Sequence, residues 1–188
     1  MKTEALTKTK WIVDKAHSEF GFKVKHLMIT WVKGVFRDVE ATVYTDGDDF
    51  MTSQIEVRIE VASIYTGDEK RDAHLRSPDF FDTDNHKQAV FMSKKLEKTR
   101  DEDKYILYGT LSIKGVEVPV KLDVEYEGSM KDPWGVEKAG FVVTGEISRK
   151  DWELTWNASL ETGGVLVGDA VKINCEIQMM KANTDSVA

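Results

Sequence analysis

The amino-acid sequence predicts an all-β fold, a single antiparallel β-barrel of about eight strands with one or two short helices. Three observations carry this. Apolar and polar residues alternate with period two from near one end of the chain to the other. Turn-forming clusters separate the alternating runs, and no apolar helix is long enough to cover an open sheet. A sandwich is the structural alternative.

The elements follow in order. Phe20, Phe22 and Val24 alternate with Gly21, Lys23 and Lys25, and Ile55, Val57, Ile59 and Val61 alternate with Glu56, Arg58 and Glu60. Strict alternation recurs from Val116 to Tyr126 and from Val171 to Met179. Pro119 falls on the polar set, so its missing N–H implies a strand end, a bulge or an unpaired edge. Less regular strands are expected at Val35 to Tyr44, Ala89 to Leu96, Tyr105 to Ile113 and Gly140 to Ser148, with a short one at Leu154 to Trp156. Gly109 and Gly145 are strand-interior glycines that mark a bend or leave room inside. Two stretches break the alternation, His26 to Lys33 and Asp68 to Phe81. The second, with acidic residues in its opening turn and Pro78 as its limit, predicts a short helix and a tight turn.

Composition narrows the function. The chain is 41% hydrophobic and 31% charged, a mixture that folds alone in water. With 26 basic and 33 acidic residues the formal charge is −7, which on average repels a nucleic-acid backbone or an anionic membrane, so no nucleic-acid partner is expected. Cys175 is the single cysteine, so there is no internal disulfide and no cysteine-based zinc cluster. His17, His26, His74 and His86 lack the close spacing of ligands, and neither a metal nor a cofactor is expected. Ser18 beside His17 is no nucleophile and base pair, because neighbouring strand residues point to opposite faces. No transmembrane helix is expected. The charged opening residues predict a cytoplasmic chain, or a periplasmic one if a signal peptide has been removed.

The segment Arg71-Asp72-Ala73-His74-Leu75-Arg76-Ser77-Pro78-Asp79-Phe80-Phe81 resembles the YceI-like family of lipocalin-like, polyisoprenoid-binding β-barrels. Supporting segments are Trp11 to Asp14 with His17-Ser18, Phe22 to Leu27 with Gly34 to Phe36, Gly109 to Val116, Gly145 to Trp152, and Val167 to Ile173. The match is collinear from about Trp11 to Met179. It departs from the family pattern at Lys87, where a Tyr-Pro pair is usual, and in lacking the leader of many periplasmic members. The expected organisation is a flexible segment over 1–10, the barrel over 11–180 and a flexible tail over 181–188.

What the resemblance implies is a protein that shelters a long-chain isoprenoid-type lipid, polyprenyl or quinone-like, as carrier or sequestering agent rather than enzyme. The lumen wall is then the inward set Phe20, Phe22, Val24, Val57, Ile59, Phe91, Leu111, Ile113, Val143, Ile147, Trp152, Trp156, Val171, Ile173 and Ile177. For each of these, plain core packing is the competing role. Leu75, Phe80 and Phe81 line or cover a mouth. Arg71, His74 and Arg76 either hold a head group or tie the helix to the barrel. Arg149 and Lys150, with Asp151 adjacent, predict a surface ion pair. The alternatives are an enzyme modifying an isoprenoid lipid and a stress-associated interaction module whose barrel is filled. An exposed edge near Pro119 or an apolar rim would support a homodimer.

Overall fold

A computed structural model describes residues 7–183. Eleven strands form one antiparallel sheet: β1 (Lys8–Val13), β2 (Glu19–His26), β3 (Thr30–Phe36), β4 (Val39–Asp46), β5 (Asp49–Glu60), β6 (Ile64–Tyr65), β7 (Gln88–Lys98), β8 (Lys104–Ile113), β9 (Val116–Lys131), β10 (Glu137–Ser148) and β11 (Val167–Lys181). The sheet closes on itself through β1 and β11, whose register runs from Trp11↔Lys181 to Val13↔Met179.

Eleven strands make eight staves. One edge of β11 pairs first with β1 and then, past a 3₁₀ turn at Lys15–His17, with β2 from Glu19↔Glu176 to His26↔Val167. β1 and β2 are therefore one stave with a kink. The same holds for β3 and β4, interrupted at Arg37-Asp38, because β4 pairs with β5 while β3 pairs with β6, which follows β5 across a 3₁₀ turn. Closure removes the unpaired edges that an open sheet would expose.

The expected strand from Val35 to Tyr44 spans that interruption and is two strands. The non-alternating stretch from His26 to Lys33 is a hairpin turn rather than a break in the sheet: β2 and β3 pair from Phe20↔Phe36 to His26↔Thr30 around a three-residue tip. Leu154 to Trp156 is not a strand. A 3₁₀ turn at Arg149–Trp152 ends on Glu153 in the left-handed region, at φ 61°, and the chain beyond runs as irregular loop. β1 begins at Lys8 and β11 ends at Lys181, so strand reaches into both segments expected to be loose, while 1–6 and 184–188 lie outside the described residues.

Pro119 sits opposite Thr110 of β8, in the part of β9 beyond Asp123, where pairing with β10 has stopped. A strand edge without a partner is where a proline, which has no N–H to donate, is tolerated inside a long strand. Gly109 and Gly145 leave no empty room. A Cβ on Gly109 would lie 2.4 Å from the Phe91 ring, and one on Gly145 would lie 2.7 Å from Leu122 Cδ2. Large inward side chains lie over both.

Among the described residues a single α-helix, α1 (Glu69–Arg76), closes one end of the barrel. Asp68 caps it by accepting from the Arg71 amide at 2.8 Å, and buried Asp72 accepts from the Thr66 amide at 2.9 Å. The β4–β5 turn and the β9–β10 hairpin lie at the opposite end, as the antiparallel registers require.

Candidate functional site

The inward side chains do not meet along the axis. A cavity of about 530 Å³ lies under α1, and a second of about 660 Å³ lies toward the β4–β5 turn. Both walls include Phe20, Ile59, Leu111, Ile173 and Cys175, so the two cavities abut at the barrel waist. Each falls within the roughly 300–1,000 Å³ typical of small-molecule pockets. The interior is hollow, and the filled-barrel alternative lapses.

The helix-side cavity is walled by Phe20, Phe22, Val24, Ile59, Leu111, Ile113, Ile147, Trp152, Trp156, Val171 and Ile173. The hairpin-side cavity is walled by Phe20, Val57, Ile59, Phe91, Leu111, Val143, Ile173 and Ile177. Every residue assigned to the lumen from the sequence therefore faces one space or the other. Trp152 and Trp156 do so from the 3₁₀ turn and the loop after it, not from one strand face. Trp152, 1% exposed, is anchored by donating from Nε1 to the Leu111 carbonyl at 2.9 Å.

At the mouth, Arg71, His74, Leu75, Phe80 and Phe81 line the helix-side cavity. His74 is held between Trp156 and Phe80, with ring centroids 4.6 and 5.1 Å away, and its Nε2 lies 2.8 Å from Asp79 Oδ2. Arg71 donates from Nε to Thr66 Oγ1 at 2.7 Å and from a terminal nitrogen to the Thr66 carbonyl at 3.0 Å. Arg76 does not line the cavity. It donates to the Ala62 and Ile64 carbonyls at 2.8 and 3.0 Å, so it ties the helix to the barrel instead of facing a ligand.

Arg149 corrects the sequence reading most clearly. It forms no surface pair with Asp151. It is 4% exposed and donates to the carbonyls of Gly168, Leu154 and Trp156, with Asp169 its nearest carboxylate at 3.4 Å. Burial lowers its pKa from the ordinary guanidinium range. Its role is to fold the loop at 153–156 against the start of β11, which sets Trp156 over the cavity. Lys150 is the residue at the surface and pairs with Asp169 at 2.9 Å.

Trp11, Phe50, Tyr126 and Phe141 were not singled out from the sequence. They stack at the hairpin end, with Trp11 5.0 Å and Phe141 5.2 Å from Phe50, and wall the second cavity. The signal existed for three of them, because Trp11, Tyr126 and Phe141 continue inward-facing alternations. At the waist Cys175 is buried, and burial pushes its thiol up to about 11. Among the described residues no group of three His, Cys, Asp or Glu side chains gathers to hold a metal.

A closed antiparallel barrel of eight staves with a hollow apolar interior defines a lipocalin-like class. Within it the YceI-like domain model matches residues 11–179, and the chain belongs to that family. A UPF0312 protein of Staphylococcus aureus is 37% identical over 171 residues, covering 90% of this chain and 96% of that protein. The crystal structure of Campylobacter jejuni YCEI protein is similar with a TM-score of 0.72 at 36% identity, over 97% of this chain and 100% of the other. A polyisoprenoid binding domain from Saccharophagus degradans, implicated in plant cell wall breakdown, shares the fold with a TM-score of 0.65 at 14% identity, over 92% and 98%.

Proposed function

We propose that this protein holds one long-chain isoprenoid-type lipid, polyprenyl or quinone-like, along the barrel axis as a carrier or sequestering protein. The observation that carries the reading is the pair of apolar cavities that abut at Phe20, Ile59, Leu111, Ile173 and Cys175, since two spaces in line suit a chain rather than a compact molecule. The Saccharophagus degradans domain of the same fold, described as polyisoprenoid binding, supports the ligand class.

The energetics need no catalytic group. Burying chain carbon is worth about 0.8 kcal/mol per CH₂, so a tail occupying both cavities gains enough to offset the ordering of a flexible chain. The head group belongs at the helix side, where Lys70, Arg71 and His74 reach the wall and the remaining guanidinium donors of Arg71 point to a polar or anionic group. The protein acts as a binder rather than an enzyme, and it carries no resident cofactor.

Native mass spectrometry of protein purified from cells tests this. The expected result is a co-purifying prenyl lipid that organic extraction removes, together with saturable binding of prenyl lipids or quinones in a fluorescence titration. Repeated absence of both would overturn the reading.

A further inference from the structure

The formal charge of −7 conceals a basic apolar patch beside the helix-side cavity. Lys172, Lys23 and Lys33 stand in one row across β11, β2 and β3, in the registers Lys172↔Lys23 and Lys23↔Lys33. Like charges directly opposite one another on a sheet are destabilising. The ammoniums of Lys23, Lys25 and Lys172 instead gather at 5.0, 4.5 and 5.3 Å from the ring of Trp31. The acidic neighbour in register is Glu146, opposite Lys172 on β10. Among the described residues none of these four lysines forms an ion pair.

The hairpin tip above this row is Leu27, Met28 and Ile29, which are 36%, 54% and 74% exposed. Leu27 and Met28 hold φ of 51° and 60°, a left-handed conformation that hairpin tips usually assign to Gly or Asn. Three long apolar side chains are thus kept in water on a strained turn. The Leu27 amide donates to the Leu166 carbonyl at 2.9 Å, and Leu166 lines the cavity together with Lys25 and His26 from the base of the hairpin. The tip therefore stands at the cavity mouth.

We propose that the β2–β3 hairpin docks this protein on an anionic phospholipid bilayer, with Leu27, Met28 and Ile29 entering the acyl boundary and the lysine row meeting the head groups. Apolar tips beside Lys and Trp are the composition of an interfacial anchor, and basic residues near an anionic surface each strengthen attachment. Docking this way turns the helix-side cavity toward the membrane. The opposite end also exposes apolar side chains, Met130 and Trp134, but there Lys138 and Lys181 are paired with Asp132, Asp48 and Glu137, and Asp49 offsets Lys131, so it presents no row of unpaired lysines.

Co-sedimentation with vesicles of phosphatidylcholine alone, or with phosphatidylglycerol added at three parts in ten, tests the proposal. The vesicles contain no isoprenoid, so a barrel that failed to hold prenyl lipid would still be expected to bind them. The wild-type chain should partition onto the anionic vesicles at least about tenfold more than onto the neutral ones, and lose that preference in raised salt. Met28→Asp with Ile29→Asp, and separately Lys33→Glu with Lys172→Glu, should each lower anionic binding about tenfold or more, with thermal unfolding unchanged. Trp134→Ser should leave it unchanged. Absence of wild-type binding at low salt, or binding at the wild-type level by either double variant, would overturn the proposal. So would a hairpin-dependent dimer in sedimentation velocity with no vesicle binding.

Discussion

The two ends of the barrel are closed by different physics. At the helix end the roof is α1 with the irregular chain beside it, and its shape comes from arginines that donate to backbone carbonyls: Arg76 to Ala62 and Ile64, Arg71 to Thr66, and Arg149 to Gly168, Leu154 and Trp156. At the hairpin end the roof is strand and turn, packed by Trp11, Phe50, Tyr126 and Phe141. A charged side chain that satisfies loop carbonyls can present a polar mouth without leaving buried groups unpaired. The stacked rings pave an apolar floor, with Asp48, Asp49, Lys131 and Glu137 at its rim. On the lipid-holding reading proposed above, the arginine-tied end takes the head group and the ring-paved end the chain terminus.

The largest effect separates these roofs by stability. Trp152→Ala removes a side chain that is 1% exposed and frees the Leu111 carbonyl, and should cost about 3–5 kcal/mol in denaturant unfolding. Phe50→Ala at the other end should cost less, because Phe50 is only half-buried. Equal losses would erase the distinction.

The waist sharpens it. Leu111→Trp or Ile173→Trp places a bulky ring between the cavities. Excluding even four CH₂ groups removes roughly 3 kcal/mol, so affinity for a long prenyl lipid should fall about a hundredfold, while a chain short enough for the helix-side cavity should change by less than about threefold. Fluorescence titration reads both. A parallel loss for long and short chains would mean that the rings collapse the barrel rather than divide it.

Cys175 reports on the same waist. With its thiol pushed up to about 11, alkylation of the folded protein at pH 8 should run about a hundredfold slower than in denaturant. A rate equal to that of the unfolded chain would indicate open access to solvent.

The smallest effect lies on the outer wall, where β1 passes into β2. Asp14 is held at about 2, chiefly by the Lys138 ammonium at 2.8 Å, with further hydrogen bonds from His17 and Gln178 outweighing the opposing effect of burial. Because its folded value lies below the ordinary 3.8, the stabilisation is fully present above about pH 4 and is lost as pH falls toward 2. After allowing for solvent screening it amounts to about 1–2 kcal/mol, and Asp14→Asn should remove it. Unfolding midpoints for the two chains that differ at pH 7 and converge near pH 2 would confirm the assignment.

The barrel was legible in the sequence because period-two alternation is a direct consequence of one-sided burial, and the residues placed in the lumen come from the strictly alternating runs, from the less regular strands that hold Phe91, Leu111, Ile113, Val143 and Ile147, or from the two tryptophans after them. What escaped is local. The kinks at Lys15–His17 and Arg37-Asp38 turn two staves into four strands, and no composition change announces them. Arg149 looked like a surface residue because Asp151 is adjacent, yet the 3₁₀ turn rotates its side chain inward toward carbonyls distant in sequence. The sign of the whole-chain charge hid the local basic row, since Lys23, Lys33 and Lys172 meet only when three strands pair.

The most direct measurement is a titration of the purified, delipidated protein with prenyl alcohols of increasing length. One ligand should bind per barrel, with an affinity that climbs with each added isoprene unit until both cavities are filled and then levels off. Affinity independent of chain length, or two short chains bound as readily as one long one, would contradict it.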